Sequence, residues 1–176
     1  MTADVFVAVP AYRGAEVLGE TLRSIRDQTY PHFHALISLD GPDEATEAVA
    51  KPFLADPRFE LTVHPERLGW AAHFNWLVRR CDRPFFNYWQ QDDLAATNYL
   101  TELRARFDRD PSAAVAYADV QWFGHYFHRD STPSLVGPPA RDLLQFRDAA
   151  AAGLHGTRQR GGDRVFIQHE HGSDLR

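Results

Sequence analysis

The feature that most constrains this chain is its alternation. Short runs rich in β-branched and aromatic residues take turns with segments whose apolar residues recur every three or four positions, and the runs end on polar groups. DVFVAVPAY, from Asp4, is nearly unbroken apolar sequence, the pattern of a strand buried on both faces, and Pro10 is expected to close it. In GAEVLGETLRSIRDQTY, the residues Val17, Leu18, Leu22 and Ile25 fall at helical spacing. HFHALISLD reads as a second strand ending at Asp40, and GPDEATEAVAKPFLADP as a turn and then a helix with acids in its first turn, where the dipole favours them. FELTVHP is a third strand and GWAAHFNWLVRRC a helix with Arg79 and Arg80 in its last turn. RPFFNYWQQDD is a fourth strand carried through to two carboxylates, TNYLTELRARFDRDP a helix capped by Thr97 or Asn98, and AAVAYADVQWF a fifth strand. This order predicts an α/β fold: a mostly parallel, Rossmann-like sheet flanked by helices.

In open sheets of this kind, ligands bind beyond the carboxyl ends of the strands. Ala11 to Arg13, Asp40, and the pair Asp92 and Asp93 all fall at such ends, so three distant segments are expected to meet in one cleft. Adjacent carboxylates repel, and placing them together costs free energy unless a cation or hydrogen-bond donors meet them. A solvated turn and a divalent cation are the two readings of Asp92 and Asp93.

Composition narrows the function by exclusion. The chain has 176 residues, room for one domain with a real core, and its net charge of -5 leaves no basic stripe for nucleic acid. Cys81 is the single cysteine, which excludes a disulfide framework and a cysteine zinc site. No apolar run reaches the length of a membrane span, and the N-terminus reads as a first strand rather than a signal peptide, so the expected location is the cytoplasm. His125 with His128, and His169 with His171, lack a third ligand at zinc spacing. No G-x-G-x-x-G follows the first strand, which argues against a dinucleotide-binding dehydrogenase.

Beyond Phe123 the pattern weakens. HRDSTPSLVGPPARD reads as a loop, LLQFRDAAAAGLHG as one helix, and TRQRGGDRVFIQHEHGSDLR shows no sustained period. The expected division is therefore residues 1–124 as the ligand-binding domain and 125–176 as a loop-rich, partly irregular remainder, with the tail from His155 dispensable to the core.

Four stretches together resemble glycosyltransferase family 2, of the GT-A fold. VPAYRGAEVLGETLRSIRDQTYPHF is similar to the family's P-x-Y-N turn, helix and Q-T-Y segment; SLDGPDEAT to its D-D-G-S-x-D-x-T loop; ERLGWAAHFNWLV to its N-x-G-x-x-x-A-x-N helix start; and QQDD to its D-x-D-D metal motif. The likeness covers roughly residues 4 to 123. Arg13 stands where the family has Asn, Leu39 replaces the first Asp of the loop, and Gln90 replaces the first Asp of the metal motif.

The resemblance implies a nucleoside diphosphate sugar donor and a glycan, lipid or polypeptide acceptor. It implies transfer to an acceptor hydroxyl with inversion, in one displacement aided by a general base. Pro10, Ala11 and Tyr12 would line the base pocket, Asp40 would accept a base N–H, and Arg67 would meet a phosphate. Asp92 would hold Mg²⁺ or Mn²⁺ against the diphosphate, and Asp93 would assist it or bind sugar hydroxyls. Asn75 would brace its helix against the cleft. The family's second half carries the acceptor site and the base. Here Asp163, Glu170 and Asp174 are the only carboxylates in the irregular tail, and none sits in a motif. The chain is thus expected to be shortened or frame-shifted at its end, and the alternative to an enzyme is a remnant that binds the donor without turnover.

Overall fold

A computed structural model describes residues 3–118 and the backbone of a strand at 164–167. The elements run β1 (Val5–Ala11), α1 (Leu18–Arg26), β2 (Phe33–Leu39), α2 (Glu44–Ala50) with a tight turn of helix at Lys51–Ala55, β3 (Phe59–Val63), α3 (Trp70–Arg80), β4 (Phe85–Tyr88), α4 (Tyr99–Arg109), β5 (Val115–Ala116) and β6 (Arg164–Ile167). Every strand pair is parallel, and the order across the sheet is β3-β2-β1-β4-β6-β5. The α/β reading therefore holds, with helices on both faces. One face buries Val5, Val7, Val9, Leu22, Ile25, Leu103 and Phe107 between the sheet and helices α1 and α4. The other buries Phe6, Ala8, Leu36 and Phe86 under Leu77 of α3. Residues of opposite parity along β1 serve opposite faces, so the run had to be apolar throughout.

Three boundaries differ from the sequence reading, each for a physical reason. Pro10 lies inside β1 rather than closing it, opposite Ser38 of β2. The β1–β4 pairing ends at Ala8 opposite Tyr88, and the Trp89 amide donates to the Ala8 carbonyl at 2.9 Å. Pro10 shares that carbonyl's side of the strand, so its missing N–H points where no strand continues. β4 stops at Tyr88, and residues 89–93 form a turn instead of completing the strand. Four tail residues, 164–167, form β6 alongside β4, a run too short for its period to register in the sequence. The remainder of the fifth run, the expected helix at 143–156 and the loop before it lie outside the described residues. Asn98 does occupy the N-cap of α4, but its side chain makes no capping bond. Asn75 sits on the exposed face of α3.

Candidate donor-binding site

Where β1 and β4 part company, the carboxyl edge of the sheet opens, and the polar segments meet there. Asp40 follows β2 directly and is buried, 5% exposed. Its amide donates to the Ala11 carbonyl at 2.8 Å. Its two carboxylate oxygens accept the backbone N–H groups of Leu68 (2.6 Å) and Gly69 (3.0 Å). Gly69 is the N-cap of α3, with φ at +80°, a conformation open to glycine and strained for other residues. Asp40 thus holds the start of α3, while the α2 that follows it is capped by Asp43. A carboxylate at a helix N-terminus gains from the free amides and the dipole.

The same clamp fixes Arg67 beside Tyr12. The Arg67 guanidinium lies 4.2 Å from the centre of the Tyr12 ring and 4.0 Å from Asp40 Oδ2. Arg13, whose φ is +50°, places its own guanidinium 5.2 Å from that ring. Tyr12 and Arg67 are both exposed, so their contacts hold them near the cleft without locking them.

The turn after β4 is anchored from below and from the side. Trp89 is fully buried against Tyr99, and its indole N–H donates to the Asp93 carbonyl at 3.1 Å. Burial pushes the Tyr99 hydroxyl up to about 12, so it stays protonated beneath the turn. Gln91 Oε1 accepts the Tyr12 N–H at 2.9 Å and Gln91 Nε2 donates to the Tyr12 carbonyl at 3.2 Å. The Thr21 hydroxyl donates to the Gln91 carbonyl at 2.7 Å. Gln91 therefore works as a strut between the β1 and β4 ends, a role the sequence did not announce. The signal was indirect: Gly14 sits where any Cβ would overlap Gln91 Oε1. Gly14 is also held by Thr46, whose hydroxyl accepts its N–H at 2.9 Å, and Thr46 binds Asp43, the cap of α2. The bonds from Thr46 hold the Asp43 carboxyl below its ordinary range. So the first turn, the loop after β2 and the turn after β4 form one cross-braced rim.

Asp92 stands exposed at the apex of that rim and Asp93 is half-buried. Among the described residues no group of three or more His, Cys, Asp or Glu converges, and what these residues offer a metal at the rim is the two neighbouring carboxylates. Hard oxygen donors with room for further ligands fit Mg²⁺ or Mn²⁺ held jointly with phosphates. Gln91 is committed to Tyr12 and adds no ligand. The paired histidines at 125, 128, 169 and 171, and the tail carboxylates Asp163, Glu170 and Asp174, lie outside the described residues.

The profile of the family described as Glycosyl transferase family 2 matches residues 6–160. The chain belongs to glycosyltransferase family 2. A protein of Rickettsia bellii described as an uncharacterized glycosyltransferase is 27% identical over 96 residues, which is 53% of this chain and 14% of that protein. Among solved structures, S. aureus TarS 1-349 in complex with UDP superposes with a TM-score of 0.64 at 17% identity, over 73% of this chain and 38% of that one. The mannosyltransferase PcManGT from Pyrobaculum calidifontis, in complex with GDP-Man and Mn²⁺, superposes with a TM-score of 0.58 at 21% identity, over 68% and 36% respectively. These likenesses establish the GT-A type of fold. The family 2 chain described here spans well under half of each relative. Among its described residues, no helix is long and apolar enough to cross a membrane.

Proposed function

We propose that this family 2 domain binds a nucleoside diphosphate sugar and passes the sugar to an acceptor hydroxyl with inversion. The observation that carries the reading is the cross-braced rim, which brings Tyr12, Asp40, Arg67 and Asp92 to one edge from four separate segments. Tyr12 offers a ring face and main-chain groups to the base, beside Ala11 and Pro10. Each Asp40 oxygen keeps a second lone-pair direction for a base N–H. Arg67, loosely held by Tyr12, turns to the diphosphate. Asp92 holds Mg²⁺ or Mn²⁺, which when bound offsets the charge growing on the leaving diphosphate. Complexes of relatives with UDP-GlcNAc, and with GDP-Man and Mn²⁺, support this donor chemistry. In the transfer, the acceptor oxygen loses its proton to a base and bonds to the anomeric carbon. The bond from that carbon to the diphosphate breaks, and the diphosphate leaves with the electron pair. Asp93 would assist the cation or bind sugar hydroxyls.

Calorimetry with UDP and with GDP, each with and without Mn²⁺, tests the reading. Mn²⁺ should tighten nucleotide binding by about tenfold or more, and Asp92→Asn should remove that gain while leaving uridine or guanosine binding unchanged. A wild-type protein indifferent to Mn²⁺ would make the two carboxylates a solvated turn. Binding without donor hydrolysis or transfer would favour a binding module over an enzyme.

A further inference from the structure

Behind Asp40 lies a buried polar cluster that the donor site does not use. Ser38 is two residues before Asp40 on β2 and fully buried. Its hydroxyl oxygen is 2.7 Å from His73 Nε2 and 3.3 Å from His64 Nε2. The two imidazoles are themselves buried and meet edge to face, with centres 5.1 Å apart, and Trp76 closes on His64 at 4.5 Å. One hydroxyl has one proton to give, so it can donate to only one of the two nitrogens; the other ring must donate to it. Either ring can be the acceptor, because a neutral imidazole carries its proton on one nitrogen or the other, and in both arrangements the two rings share a single hydroxyl inside the core. A charge on His73, which is 3% exposed and edge to face with His64, would be desolvated there.

His73 lies one turn into α3, and its amide donates to the Gly69 carbonyl at 2.9 Å. Its side chain therefore pins the start of α3 to β2, where the Leu68 and Gly69 amides reach Asp40. We propose that His73 is a positioning residue: through Ser38 it holds the Leu68–Gly69 segment on Asp40, and the clamp is kept only while this histidine is uncharged. Protonation would bury a cation beside His64 and turn the serine proton to the His64 side, since a doubly protonated ring can only donate. Among the charged groups around it, Asp40 favours the proton and His64 opposes it, with burial the largest influence and against it. The net effect lowers the His73 pKa below its ordinary 6.5. A histidine shifted in that direction contributes stability that is whole above the ordinary value and is lost as pH falls below it. Acid should therefore loosen the loop that carries Arg67. For nucleotide binding this rests on the donor-site reading above; for the clamp it does not.

Two measurements separate those layers. In the ligand-free protein, the Leu68 and Gly69 amide resonances should lie downfield at about pH 7.5, as expected for donors to a carboxylate, and move upfield as pH drops to about 5.5. His73→Gln, which cannot take up a proton there, should keep them nearly fixed across the range. UDP and GDP affinity should fall about tenfold over the same range in the wild type and stay nearly flat in His73→Gln. Amide shifts that titrate alike in the wild type and the variant, or in neither, would overturn the proposal. Titrating amides with no nucleoside diphosphate bound at any pH would leave the clamp standing and sink the donor-site reading. If His73 were purely structural, His73→Gln would lower stability equally at both pH values and leave the pH profile of the amides unchanged.

Discussion

Replacing Asp40 by Asn isolates the charge and one acceptor while keeping shape. The wild-type carboxylate receives two backbone amides, at 2.6 and 3.0 Å, in a site only 5% exposed. An asparagine offers one carbonyl oxygen to one amide and turns its NH₂ toward the other, so a donor faces a donor. Losing one charge-assisted bond costs about 1.5–3 kcal/mol, and part of the desolvation cost of the orphaned amide, about 1–3 kcal/mol, adds to it. The sum is about 3 kcal/mol. The Arg67 ion pair does not change this figure, because at 4.0 Å, with the arginine side chain 62% exposed, it contributes about 0–1 kcal/mol. Urea unfolding at fixed pH near 7.5 should show the midpoint fall with the slope unchanged. The melting temperature should drop by about 6–12 °C for a chain of this size. Arg67→Ala, by contrast, should leave stability within about 1 kcal/mol and act on nucleotide affinity. A loss below about 1 kcal/mol for Asp40→Asn, or an equal loss for Arg67→Ala, would refute the claim that the amide clamp is what Asp40 does for the fold.

Two more outcomes follow from the rim and the sheet. Gly14→Ala should displace the Gln91 side chain and release both bonds to Tyr12, costing about 1–2 kcal/mol by urea titration and weakening nucleotide binding at the same time; unchanged affinity in a folded variant would remove the strut from the site. Deleting residues 160–176 takes away β6, the partner of β4 and β5, so the urea midpoint should fall and the transition should broaden; a deletion as stable and cooperative as the full chain would show the strand to be dispensable.

Local pattern was enough to place helices α1 to α4 and strands β1 to β4, because a strand buried on both faces must be apolar at every position and an amphipathic helix must repeat its apolar residues each turn. It was also enough to mark strand-end polar groups as the candidate site, since a parallel sheet brings all its carboxyl ends to one edge. What those groups touch was settled only in three dimensions. Asp40 and Gly69 are 29 residues apart, and Gln91 and Tyr12 are 79 apart, so no local spacing encodes either bond. The end of β4 at Tyr88 was likewise not local: the pairing with β1 ends at Ala8 opposite Tyr88, and Trp89 next buries its ring against Tyr99 of α4. β6 had the weakest signal of all, four residues whose strand conformation depends on neighbours, β4 and β5, that lie far away in the chain. Sequence alone determined which residues had to be buried and which could face a ligand. Tertiary packing decided which of the polar ones are spent on holding the rim together and which, like Asp92, are left facing outward, because hydrogen bonds between distant segments exist only once the sheet has aligned them.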